Sequence, residues 1–88
     1  MRTAITNEEA EATGLKALAW TLGDERRAER LLAVTGLTPA DLRARAGETA
    51  VLDAVLGFLE AHEPDLIACA EAIGTSPAAL VAAREALA

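Results

Sequence analysis

The chain of 88 residues holds one histidine and one cysteine, His62 and Cys69. They are the only candidates for a thiol–imidazole dyad, in which the imidazole takes the thiol proton and the thiolate attacks an electrophile. The surrounding residues argue against it. Cys69 falls on the apolar stripe of a predicted helix with Leu66, Ala70 and Ile73, where cysteine behaves as a small hydrophobe. It stands far from that helix's N-terminus, and no basic neighbour lowers its pKa. His62 is followed by Glu63, but no His-Glu-x-x-His pattern continues from it. One histidine with scattered carboxylates falls short of a zinc ligand set. His62 therefore reads as a solvent-facing or helix-capping residue. A Gly-x-Ser-x-Gly turn, a glycine-rich phosphate loop and a cysteine cluster are all absent from the sequence. The expectation is a protein without catalysis, and with neither cofactor nor metal.

Binding chemistry is better represented. Arg26, Arg27 and Arg30 are the densest basic spot, interleaved with Asp24, Glu25 and Glu29. The plain reading is a solvated helix face with local ion pairs, each of small value. The functional reading is an arginine rim for an acidic partner, or for the acidic half of a second copy. Trp20 lies about 140° around its helix from Leu15, off the stripe that Leu15 begins. A tryptophan there is either packed by a second neighbour or is a partly exposed interface anchor. With Arg43, these residues (Trp20, Arg26, Arg27, Arg30 and Arg43) are the candidate partner-binding set.

The net charge is −6 and unevenly placed. Residues 1–47 carry seven basic and seven acidic groups, whereas residues 48–88 carry Arg84 against seven carboxylates. An acidic chain repels phosphate backbones and anionic membranes. Nucleic-acid binding has one sequence signal: Ala70, Gly74, Ser76 and Leu80 follow the rhythm of a helix-turn-helix turn. The would-be recognition helix after Pro77 is mostly alanine, with Arg84 and Glu85 as its charges, and offers almost nothing to read base edges. Nucleic acid is therefore the disfavoured alternative. No apolar run reaches the ~18 residues that cross a bilayer. The first nine residues lack the apolar region of a signal peptide. A single cysteine permits no internal disulfide. The expected location is the cytoplasm.

These residues must be held by helices. Alanine and leucine dominate, tyrosine is absent, and there is one Trp and one Phe, a composition that favours helix over strand. Thr6 with Glu9 is a capping box. The helix it opens places Leu15, Leu18, Ala19 and Leu22 at helical spacing, a predicted inward stripe, and Gly23 closes it. Asp24 caps a second helix with Ala28, Leu31, Leu32 and Thr35 inward, ended by Gly36. Thr38-Pro39 opens a short third helix that stops at Gly47. Thr49 is the expected cap of a fourth. Its wide apolar arc (Val51, Leu52, Val55, Leu56, Phe58, Leu59) marks a central helix, with Asp53, Gly57 and Glu60 on a narrow polar side. Pro64 starts a fifth helix, ended by Gly74. Ser76-Pro77 starts a sixth, with Leu80, Ala83 and Leu87 inward.

One phrase occurs twice. Gly36-Leu37-Thr38-Pro39-Ala40-Asp41-Leu42 returns 38 positions later as Gly74-Thr75-Ser76-Pro77-Ala78-Ala79-Leu80. The same offset pairs Leu18 with Leu56 and Trp20 with Phe58. Two readings stand: a duplication with pseudo-repeats 6–47 and 48–88, or the independent use of the same helix-stop and helix-start chemistry. Either way the expected architecture is all-α, a single domain over residues 1–88. It is a compact bundle of five to six short helices in two similar halves.

The run Ala17-Leu18-Ala19-Trp20, with Arg30 through Arg43, resembles a family of short bacterial proteins known as a domain of unknown function, DUF3572. Val55-Leu56-Gly57-Phe58-Leu59, Glu63 and the closing Ala83-Arg84-Glu85-Ala86-Leu87 extend the resemblance over nearly the whole chain. Leu31 departs from it where an aromatic residue is common, as does His62 where an aspartate is common. The resemblance implies no activity, cofactor or binding residue. It does mark Arg30, Arg43 and Arg84 as recurrent in the family's pattern. The functional expectation is a non-catalytic protein–protein interaction module whose partner is another protein or itself, as a homodimer. A nucleic-acid-binding domain and a small thiol enzyme are the alternatives.

Overall fold

The computed structural model describes residues 5–88, and the question of a leader at residues 1–4 lies outside them. Six helices follow one another: α1 Asn7–Leu22, α2 Glu25–Thr35, α3 Pro39–Arg45, α4 Thr49–Glu60, α5 Glu63–Ala72 and α6 Pro77–Leu87. The described residues form an all-α globular bundle without strands.

Local chemistry sets the helix ends. The Glu9 backbone N–H donates to Thr6 Oγ1 and the Thr6 N–H to Glu9 Oε1, both at 3.1 Å. That Thr6 backbone donor holds the Glu9 carboxyl below the usual carboxylate range. Asp24 accepts from the Arg27 N–H at 3.0 Å, and Ser76 from the Ala79 N–H at 3.1 Å. Thr38 forms a second capping box with Asp41. Gly36 and Gly74 both turn the chain at φ +76°, a conformation costly for any residue with a Cβ. α4 departs from expectation: Glu48 is its N-cap, without a side-chain cap bond, and Thr49 is already inside the helix. The Glu48 carboxylate is drawn back to Arg45 Nε at 3.0 Å instead.

α4 is the centre of the core, and all six of its predicted apolar residues are buried. Leu66, Cys69 and Ala70 of α5, Leu80, Ala83 and Leu87 of α6, and Leu31 of α2 close around it. Burying each large aliphatic chain is worth roughly 1.5–3 kcal/mol. α1 packs most extensively on α6 and α4. α3 is peripheral and buries only Leu42. The two copies of the repeated phrase thus share their turn geometry, while the helices they open have different positions, α6 inside the bundle and α3 at its edge.

The inward face of α1 differs from the expected stripe. Ala10, Gly14, Ala17, Leu18 and Thr21 are buried. Of the predicted stripe only Leu18 is inside; Leu15 and Leu22 are 43% and 40% exposed, and Ala19 is exposed too. The helix is rotated by about one residue step, 100°. The cause is close packing against α4. A Cβ at Gly14 would sit 3.1 Å from Leu52 Cβ, so glycine there lets the two helices approach. Thr21 enters the same face because its hydroxyl donates to the Ala17 carbonyl at 2.8 Å and leaves no unpaired group.

Candidate interaction surface

Three groups of side chains carry chemistry. The first joins α1, α2 and α5. Trp20 is half-buried against the core, and the Arg27 guanidinium carbon lies 3.7 Å from its ring centroid. Arg27 Nη2 also donates to the Trp20 carbonyl at 2.8 Å, closing the α1–α2 junction. Its Nε is buried without a partner. A guanidinium over an indole face is held by the ring quadrupole, worth about 0.5–2 kcal/mol. One turn on, Arg30 Nη2 meets Asp65 Oδ2 at 3.0 Å, and the Arg30 guanidinium carbon lies 5.8 Å from the Phe58 ring centroid. Asp65 also receives His62 Nδ1 at 3.3 Å, so His62 is a half-exposed residue at the start of α5. Arg30 thus ties α2 to α5 across 35 positions rather than pairing with Glu29 on its own helix.

Cys69 is buried beside this group, and burial pushes its thiol up to about 11, with the Arg27 charge only partly opposing. Burial of this kind favours the protonated thiol at neutral pH.

The second group lies on the other side of α4. Arg84 of α6 donates to Asp53 Oδ1 at 3.2 Å and to Glu60 Oε2 at 2.9 Å. Its hydrogen bonds to Glu60 and Asp53 raise its pKa further above its ordinary value. It passes over Gly57, where no side chain stands in its way. An open cleft of about 330 Å³ is bordered by these residues with Val81, Glu85 and Ala88. Its carboxylates are partly neutralised by Arg84, and no nucleophile or histidine lines it.

The third group is the outer face of α1. Glu8, Ala12, Leu15, Ala19 and Leu22 follow at intervals of four and three residues, and every one is exposed. This is a largely apolar seam about 21 Å long, at 1.5 Å per residue. Arg26, four positions beyond Leu22 in the first turn of α2, is exposed and forms no ion pair among the described residues. Arg43, in the last turn of α3, is likewise exposed and free of ion pairs among them. The other large exposed apolar residues, Val34 and Ile67, stand singly on α2 and α5, as scattered surface residues commonly do.

The candidate binding residues therefore separate. Trp20, Arg27 and Arg30 are tied into the fold, whereas Arg26 and Arg43 reach solvent on different helices. Sequence reasoning missed Leu15, Ala19 and Leu22 as surface residues because their spacing is that of a buried stripe. It also missed Asp65 as the partner of Arg30.

Among the described residues, no three His, Cys, Asp or Glu side chains gather as a metal site. No single helix there is long and apolar enough to cross a membrane; α5 and α6 pass that test only together and are bent by 98°.

The fold and these surfaces define a small six-helix domain of mixed charge, with its polar groups paired at helix junctions. Over residues 7–88 the chain matches the family model described as "Protein of unknown function (DUF3572)", and it belongs to that family. No curated protein and no solved structure matches it.

Proposed function

We propose that the protein is a non-catalytic interaction module of the cytoplasm whose docking face is the outer seam of α1. The observation that carries this reading is the orientation of α1. Its core face is built mainly of small residues around Leu18, while Leu15 and Leu22 face solvent on one line. A helix that leaves two leucines outward on one line exposes area that a monomer gains nothing by exposing, and contiguous patches of this kind mark binding surfaces.

Other features point the same way. The Cys69 thiol is buried and its pKa is raised, which disfavours the thiolate. Arg84, the one cation of the second half, is engaged by Asp53 and Glu60, which leaves α6 without a free charge for phosphate contacts. Trp20 and Arg30 belong to the support of the surface rather than to the surface. Their substitution tests stability along with association.

The test is affinity capture of the tagged protein from its native cytosol, with nuclease, beside the variant Leu15→Glu/Leu22→Glu. The reading expects a stoichiometric protein, another chain or an untagged copy, that survives nuclease and is lost with the variant. Recovery of nucleic-acid-dependent material alone would overturn it.

A further inference from the structure

We propose that α3 is a hinged strap at the edge of the bundle, which swings away and unwinds as a unit while the other five helices stay folded. The proposal stands apart from the reading of α1.

The first support is how little apolar contact holds α3. Every other helix packs on at least two of its neighbours, and α3 packs on none of them to a comparable extent. Leu42 is its one buried residue, at 8% exposure. Leu37 and Ala46, on either side, are only partly buried against the core.

The second is that its polar groups are satisfied within the segment. The Thr38 N–H donates to Asp41 Oδ2 at 2.9 Å and the Asp41 N–H to Thr38 Oγ1 at 3.0 Å. The Leu42 N–H donates to the Thr38 carbonyl at 3.1 Å, and Arg45 Nε to Glu48 Oε1 at 3.0 Å. Among the described residues, no hydrogen bond or ion pair runs from residues 38–47 to another helix. The other junctions differ: Arg30 of α2 holds Asp65 of α5, and Arg84 of α6 holds Asp53 and Glu60 of α4. Breaking those leaves charged partners unpaired, which is what makes such openings costly. Releasing α3 strands no polar group in the bundle.

The third is the pair of hinges. Gly36 and Gly47 flank the helix, and a Cβ at either would meet nothing within 4 Å. Gly36 makes a left-handed turn at φ +76°, and glycine passes between left- and right-handed backbone without a steric penalty. A helix of seven residues is too short to persist in water by itself. Once Leu42 leaves the core, residues 37–48 therefore become a flexible loop anchored on α2 and α4. Its release uncovers the edge of the apolar core that Leu42 closes.

Native-state hydrogen exchange of the whole chain in low urea tests this. Local opening exposes little surface and barely responds to urea, whereas global unfolding is accelerated by it. The expected result, after correction for intrinsic rates, is that the amides of Leu42, Ala44 and Arg45 exchange at least about tenfold faster than those of Val55 and Leu56 in α4, at a rate that urea leaves unchanged below the unfolding transition. Arg84→Ala weakens a junction that the open form keeps. It should accelerate α4 exchange about threefold to tenfold and leave α3 exchange unchanged. Leu42→Ala should accelerate α3 exchange about tenfold to a hundredfold. Amides of α3 that follow the urea dependence of α4, or that accelerate with Arg84→Ala as α4 does, overturn the proposal, because α3 then opens only with the whole bundle. Exchange in α3 that Leu42→Ala leaves unchanged overturns Leu42 as the latch.

Discussion

The guanidinium of Arg84 lies against the Cα of Gly57, reaching across α4 to Asp53 on one side and Glu60 on the other. A Cβ at residue 57 would come within 3.0 Å of Arg84 Cζ and 3.1 Å of Nη2. Glycine in a helix interior ordinarily costs about 1 kcal/mol relative to alanine. Here that cost leaves a channel for an ion pair between α4 and α6.

Gly57→Ala should therefore give two opposing effects. The helix gains propensity, and Arg84 is displaced from its carboxylates. In the wild-type background the net change is expected near zero or unfavourable. In an Arg84→Ala background the same substitution should stabilise by about 1 kcal/mol. Urea denaturation of the four proteins in this cycle checks it; equal effects in both backgrounds would show that Arg84 does not depend on Gly57.

Gly14 has a harder neighbour. A Cβ there meets Leu52 Cβ at 3.1 Å, near the backbone of α4 rather than at the end of a flexible chain. Gly14→Ala is expected to destabilise by about 1–3 kcal/mol despite its better helix propensity, because overpacking forces the helices apart. The exposed substitution Ala12→Ser is the control and should change stability by less than about 0.5 kcal/mol. The midpoints of urea unfolding measure both.

Cys69 has its thiol pushed up to about 11 by burial. At pH 8 only about one molecule in a thousand then carries a thiolate at this position, and the side chain is enclosed. A thiol reagent should react with the native protein only as fast as it opens, and at once in denaturant. Prompt reaction of the native thiol would return Cys69 to consideration as a nucleophile.

Much of this fold was legible because its signals are local. Gly36 and Gly74, Thr38 and Ser76, and the wide arc of α4 each act through neighbours within a turn or two of sequence, and all stand where the sequence places them. α1 was legible as a helix but not in its rotation. It has two apolar lines, Leu15 with Ala19 and Leu22, and Ala10 with Gly14, Ala17 and Leu18, and spacing ranks the first inward. Packing against Leu52 decides for the small residues, and that contact joins positions far apart in the chain. The same separation hid the Arg30–Asp65 pair. Glu48 displaced Thr49 as the cap position of α4 because Arg45 holds its carboxylate in the turn before the helix. The candidate surface emerged from the mismatch on α1, where a pattern that predicts burial is exposed.

The central claim is that the outer line of α1 is the face by which the protein associates. The most direct measurement follows the backbone amide resonances of the whole chain as the protein recovered with it, another chain or unlabelled copies of its own, is added. The account predicts shifts confined to Glu8, Ala12, Leu15, Ala19, Leu22 and their immediate neighbours, with α5 and α6 unchanged. Shifts centred on α5 or α6, or none along α1, would contradict it.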